Sequence, residues 1–500
     1  MAHRGDMAQV ELVEPGDHAD PGVIATADEV DRARSAVRDT VRGGLEWVRH
    51  HRVLAGAVVV ALVVATAVPV ARSAHAARER ATALAALPTV VAPMQDPPSV
   101  AWTSRSAPGD YVLGIPDRAW IRDDVLILWD QSENLRQSLR ALDADTGDQL
   151  WRTSLTTAPN LGDPPYLSVD DPTTCSAPGD TVVVCLVPEA WMLGTGGDGN
   201  ATLVVPTALR LRTFDAATGA VVRDEAVADH SSVVALGGDV VIAQTASLVA
   251  DRSSLSRIDP TTGAERWSAT ILRDPGSVGT AFAAVRLFGA RIAVGWLGTT
   301  HLFTADGTAS VDYDTDHVWR QRGHSLTSGV DSSVLLDLDT GWRFETQESF
   351  FPWIAPDDGS EPDLVVLQND DGLRALDVTS GTAWTSPAPT SNAGSRMLIA
   401  DGRLASLVDG ALEVRDLRSG VQAWQVRTDG RGAEDLVTDG RHLIVLGGDP
   451  VRTRLNAYDL RDGRRAWTVE APSGLEAIAA VDHRLFGVSS AGIVAFTPGG

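Results

Sequence analysis

Residues 141–151 read ALDADTGDQLW, and the phrase returns as RIDPTTGAERW ending at Trp267, VRDLRSGVQAW ending at Trp424 and AYDLRDGRRAW ending at Trp467. A β-like run ends in aspartate, a polar turn closes on glycine, and a second run carries tryptophan. The aspartate recurs at Asp143, Asp215, Asp259, Asp337, Asp377, Asp416 and Asp459. Each is followed by a turn glycine: Gly147, Gly219, Gly263, Gly341, Gly381, Gly420 and Gly463. The aromatic position holds Trp151, Trp267, Trp384, Trp424 and Trp467, with Arg223 and Glu345 in its place in two units. The aspartate carboxylate can accept hydrogen bonds from backbone N–H groups just ahead of it. Glycine supplies the positive φ of a tight hairpin with a bulge. Tryptophan can cover the flank of a neighbouring sheet while its indole N–H finds a carbonyl. Small sheets of this kind cannot bury both faces alone, so they stack about an axis.

From residue 99 to residue 500 the chain alternates short runs such as DVLILW, TVVVCLV, DVVIAQ, RIAVGWL, DLVVLQ and HLIVLGG with turns rich in Gly, Asp, Asn and Pro. No sustained helical periodicity interrupts them, which predicts an all-β repeat architecture. The C-terminal AGIVAFTPGG reads as half a repeat that stops at its turn, and SVAWTSR (99–105) reads as the missing half, carrying Trp102. A ring closes if the first strand completes the last sheet, so the expected fold is a closed β-propeller of four-stranded blades. The step from Asp143 to Asp215 is much longer than most. It contains an insertion at about residues 157–202 that holds both cysteines and the glycine-rich GTGGDGN.

Ahead of this domain, residues 1–50 read as a cytoplasmic and largely disordered tail, polar and acidic at its start. Residues 53–71, VLAGAVVVALVVATAVPVA, are uncharged and long enough to cross a bilayer as a single transmembrane helix. Cleavage near Ala76 as a secretory signal is the alternative. Arg32, Arg34, Arg38, Arg42, Arg49 and Arg52 precede the run and Arg72, Arg78 and Arg80 follow it, an asymmetry that keeps the N-terminus cytoplasmic. The propeller is then extracytoplasmic, on a stiff linker at 72–98. Cys175 and Cys185 flank a turn and a strand. In an oxidising compartment they form a disulfide worth about 3 kcal/mol, the alternative being two buried thiols.

The net charge of −24 argues against a nucleic-acid partner. All 42 residues counted as Lys plus Arg are Arg, so lysine Schiff-base and P-loop chemistry are excluded. The pairs Asp170-Asp171, Asp357-Asp358 and Asp370-Asp371 are open to reading as Ca²⁺ ligands or as solvated turns. The histidines show no zinc-binding spacing.

The recurring A-x-D-x-x-T-G-x-x-x-W pattern resembles the pyrroloquinoline-quinone (PQQ)-type β-propeller repeat family, which includes quinoprotein dehydrogenases and the BamB-type outer-membrane assembly protein. The resemblance covers residues 99–500 and implies eight blades. It also implies structural, blade-docking roles for Trp102, Trp151, Trp267, Trp384, Trp424 and Trp467. LFTADG and LLDLDTG, both between Leu302 and Glu345, lie closer together than that spacing allows. The family's enzymes use PQQ with a Ca²⁺ held by Glu, Asn and Asp, commonly under a disulfide of adjacent cysteines. No such cysteine pair is present here, and no catalytic aspartate maps onto this chain. The expected function is therefore a noncatalytic platform without cofactor, anchored in the cell membrane and binding envelope proteins through the insertion. A diverged PQQ- and Ca²⁺-dependent oxidoreductase, and a sensor acting through the N-terminal tail, are the alternatives.

Overall fold

In the computed structural model, most of the apolar runs become inner strands of small antiparallel sheets. Val125–Ser132, Asp239–Thr245, Arg291–Trp296, Arg403–Val408, His442–Asp449 and Arg484–Ser489 each pair on both edges. Flanked on both sides and packed on both faces, such strands read as continuous apolar stretches. The structure describes residues 78 and 80–499 apart from short internal segments, the longest at 156–166, 273–282, 347–353 and 388–395. The expected tail and span at 53–71 lie outside the described residues. Among the described residues no helix is long and apolar enough to cross a membrane.

The described strands form nine sheets. In chain order they are sheet 1 (110–154), sheet 2 (167–227), sheet 3 (230–272), sheet 4 (284–313), sheet 5 (317–346), sheet 6 (364–387), sheet 7 (396–427 with Ile354–Asp357), sheet 8 (436–470) and sheet 9 (475–499 with Asp96–Arg105). Sheet 6 has three strands and the others four or five. The count departs from the expected eight because LFTADG belongs to sheet 4 and LLDLDTG falls in the span of sheet 5. Each sheet packs on the next. The seams between sheets 1 and 2, 2 and 3, and 3 and 4 hold apolar clusters, as do those between 6 and 7, 7 and 8, and 8 and 9. Sheets 4 and 5 touch through Arg291–Trp296 and His317–Gln321, and the Arg374 guanidinium of sheet 6 lies 5.3 Å from the ring centre of Phe344 in sheet 5.

The circuit closes because sheet 9 is built from both ends of the domain. Asp96–Arg105 pairs antiparallel with Gly492–Gly499, setting Trp102 opposite Ala495. Trp102, Ala119, Ile121 and Leu126 then share a core with Phe486 and Ile493, joining sheet 9 to sheet 1. A buried ion pair reinforces this junction. Arg140 Nε lies 2.9 Å from Asp130 Oδ2, both side chains are 2% exposed, and Arg140 also donates to the Arg105 carbonyl at 3.1 Å.

The strand expected to begin at Ser99 begins at Asp96. The segment ahead of it, read from the sequence as a stiff linker, is packed against the sheets. Leu84, Val90, Val91 and Met94 are almost fully buried, because their apolar side chains fill the seams of sheets 7, 8 and 9.

The Asp130→Ala variant leaves Arg140 charged and unpaired in the core and should cost about 3–5 kcal/mol. Chemical denaturation of the variant, compared with wild type, checks this.

Candidate binding surface

The repeated turn is built alike in sheets 1, 2, 3, 7 and 8. The Gly147 amide donates to the Asp143 carbonyl at 2.8 Å. The Asp143 carboxylate accepts from the amides of Asp145 and Thr146 at 2.9 and 2.8 Å. Asp215, Asp259, Asp377, Asp416 and Asp459 accept from their own turn amides in the same way. These aspartates are occupied in shaping hairpins. Asp337 and Gly341 lie outside the described residues. The turn of sheet 4 departs from the pattern: Thr304 stands where the aspartate would, and Asp306 caps the turn by accepting from the Thr308 amide.

The tryptophan of each unit meets the turn of the next sheet. Trp102, Trp151, Trp267, Trp384 and Trp424 donate Nε1–H to the carbonyls of Ala144, Ala216, Ala305, Leu417 and Leu460, at 2.9 to 3.1 Å. Beneath the ring sits the turn glycine. At Gly147, with φ +76°, a Cβ would lie 2.5 Å from Trp102, and at Gly420, with φ +70°, 2.5 Å from Trp384. Both the left-handed backbone and the missing side chain are required there. Where Arg223 replaces tryptophan, its guanidinium covers Gly263 in the same manner. Gly381 has φ +97° but no side chain over it.

These contacts place the repeat residues in the scaffold, and the pattern's long step is where the surface differs. The insertion forms a hairpin of two fourteen-residue strands, Val182–Thr195 and Thr202–Asp215. The first pairs with Thr174–Ser176 only over Val184–Leu186, and the second with Val221–Val227 only over Leu209–Phe214. From Pro188 to Thr195 and from Thr202 to Ala208 the two strands pair with each other, joined by Leu167–Val169 in parallel along Thr202–Val204. The hairpin therefore runs about 20 Å past the outer strands of its sheet.

Its base is fixed by a disulfide and by charge. Cys175 and Cys185 are directly opposed across the strand pair and bonded. Cys185 is fully buried in a cluster with Trp129, Trp151 and Phe214. Arg210 Nε donates to Asp224 at 2.5 Å and Arg212 Nε to the same carboxylate at 3.3 Å, while Arg210 also reaches Glu189 at 3.4 Å. The Asp224 hydrogen bond holds the Arg210 guanidinium above its ordinary pKa. Most of GTGGDGN, at the hairpin's tip, lies outside the described residues.

The acidic and histidine positions hold structural partners. Asp357 accepts from the Gly359 amide, and buried Asp358 from the amides of Ser360 and Asp401. His301 pairs with Asp312 at 2.8 Å, and buried His442 with Asp439 at 2.9 Å. Asp170-Asp171 and Asp370-Asp371 lie outside the described residues. Among the described residues no three His, Cys, Asp or Glu side chains come together as a metal site. A cavity of about 350 Å³ beside Arg80, Asp401 and Arg461 is lined by charges that pair among themselves.

Comparison with known proteins follows the same repeats. Residues 135–331 and 342–499 match the family model described as outer membrane protein assembly factor BamB. No curated protein matches the chain. Among solved structures, BamB from Moraxella catarrhalis is 15% identical, covering 79% of this chain and 96% of its own, with a TM-score of 0.39. The quinohemoprotein alcohol dehydrogenase ADHIIG from Pseudomonas putida HK5 is 13% identical, covering 81% and 76%, with a TM-score of 0.39. A europium-containing methanol dehydrogenase is 11% identical, covering 81% and 90%, with a TM-score of 0.42.

The turn aspartates generate a pH dependence. Backbone hydrogen bonds from Thr146 and Asp145 hold the Asp143 carboxyl below its ordinary value, and the Thr262 amide does the same for Asp259. The Thr218 and Thr379 hydroxyls lead the lowering at Asp215 and Asp377. At Asp416 burial is the largest effect and opposes the shift, but hydrogen bonds from Ser419 and the Arg418 amide with the charge of Arg403 together lower the carboxyl. Lowered folded-state values mean that the stabilisation is complete above the ordinary carboxylate pKa of about 4 and is lost as pH falls through the lowered values. The melting temperature should therefore hold through neutral pH and drop below about pH 4. Replacing Asp143, Asp215 and Asp259 together by Asn should flatten that drop, as followed by circular dichroism.

Proposed function

The chain belongs to the PQQ-like propeller family described as outer membrane protein assembly factor BamB, and from that membership we propose that it is a noncatalytic binding platform of the cell envelope. The observation that carries this reading is the projecting hairpin Val182–Thr195/Thr202–Asp215. A rigid ring supplies the frame, and the one long departure from its repeat carries paired backbone past Thr174–Ser176 and Val221–Val227. Function on a propeller lives in such departures rather than in the docking residues. The partner is an envelope protein, held at the surface formed by residues 157–202.

The same reading places the chain in the membrane through residues 53–71, with residues 1–50 in the cytoplasm and the propeller from Asp96 outward on the far side. Support comes from the length of the uncharged run, from the arginine excess ahead of it, and from the disulfide, which belongs in an oxidising compartment. The family also includes quinoproteins.

Two experiments test the proposal. In the first, residues 189–208 are replaced by Asn-Gly, closing the hairpin at the level of Pro188 and Leu209, which face each other in the wild type. The variant should melt within a few degrees of wild type yet lose the proteins that crosslink to the full chain in its own membrane. Unchanged crosslinks would sink the hairpin as the binding element. In the second, the purified full chain is incubated with PQQ and Ca²⁺. A bound-quinone absorption band with dye reduction would establish the oxidoreductase instead.

A further inference from the structure

Dividing sheet 9 between the two ends of the domain leaves that sheet without the turn its neighbours possess. In sheets 1, 2, 4, 7 and 8 the arriving indole is met by a carbonyl in the hairpin between the third and fourth strands. In sheet 9 the corresponding strands are Gly492–Gly499 and Asp96–Arg105, which no hairpin joins. Trp467 nonetheless arrives from sheet 8 like the other docking residues, and it is buried. Its Nε1–H donates at 3.3 Å to the carbonyl of Met94, which lies ahead of the first strand.

The segment that delivers this carbonyl is held along its length. The Val91 amide donates to the Thr438 carbonyl at 3.0 Å, and the Ala92 amide to the His483 carbonyl at 2.8 Å. The His483 amide returns to the Pro88 carbonyl at 3.2 Å, and its ring Nδ1 lies 2.9 Å from the Val90 carbonyl. The Met94 amide donates to buried Asp439 Oδ2 at 2.9 Å. Upstream, Leu84 is buried in the seam of sheets 7 and 8, where a Cβ on Gly440 would approach its Cδ2 to 3.1 Å. Arg80 pairs with Asp401 of sheet 7 at 3.3 Å.

We propose that residues 88–94 are a latch: they stand in for the missing turn of sheet 9 and shut the seam between sheets 8 and 9. The seam's closure then depends on a segment outside the repeats. Ring closure through the first strand removes a turn, and the residues just before that strand restore its hydrogen-bond acceptor. The chain ahead of the propeller is thereby bound into the ring at the place where the ring is joined.

Hydrogen exchange on the full chain, resolved by mass spectrometry, tests the latch. Met94→Pro removes the amide that Asp439 holds, and Trp467→Phe keeps an aromatic ring while removing its N–H. Trp151→Phe makes the same change at the seam of sheets 1 and 2, as a control. Both latch variants should raise exchange at least tenfold in the peptides covering 88–105 and 465–481, with sheets 2 and 3 unchanged. The control should raise exchange in sheets 1 and 2 and leave 88–94 protected. Wild-type exchange at residues 88–94 in Trp467→Phe would overturn the proposal, as would faster exchange in all sheets alike. If Met94→Pro does not fold, Trp467→Phe alone decides, because it leaves the backbone intact.

Discussion

The structure depends on one contact made repeatedly: an indole N–H given to a turn carbonyl of the next sheet, with the ring lying over that turn's glycine. A sheet of four strands has two faces to cover and little core of its own. The tryptophan covers apolar flank while its N–H is satisfied by a turn carbonyl. The glycine is part of the same contact, since at Gly147 a side chain would occupy the space of the Trp102 ring. The aspartate sets the turn that presents carbonyl and glycine together. Three residues in register thus specify a seam between sheets, and repetition of the register specifies a ring.

A ring made from a linear chain must be closed somewhere, and closure has a physical consequence. Sharing sheet 9 between the ends ties the last strand to the first and brings Phe486 and Ile493 against Trp102. It also removes a turn from the series. The buried Asp130–Arg140 pair on one side of this sheet and the Asp439 carboxylate on the other are both devoted to it. Arg140 donates to Arg105, and Asp439 accepts from Met94. Polar groups of this kind are costly to bury unless fully partnered, and here they sit where the chain has no continuous hairpin to rely on.

The all-β class, the repeat and the joining of the two ends were legible in the residues, because each rests on local chemistry or strict spacing. The number of sheets was not. LFTADG uses threonine in place of the leading aspartate, so Thr304, Asp306 and Gly307 form a turn that the consensus undercounts. Arg223 over Gly263 was legible only as a gap in the tryptophan pattern. Met94 was hidden entirely, for it carries no motif and acts through its backbone. The only available signal was that PTVVAPM is apolar for a linker between the uncharged run at 53–71 and the repeats.

By itself the sequence determined the unit and its order: which residues turn, which strand carries the ring, and where the repeat stretches. Those properties follow from φ preferences, side-chain acceptors and period, all of which act within a few residues. Only the tertiary structure decided which sheets exist as separate layers, that the insertion becomes a long projecting hairpin pinned by Cys175–Cys185, and that residues 88–94 close the final seam. Each of these depends on pairing between distant parts of the chain, set by which apolar faces and which unpaired carbonyls remain once the local units have formed.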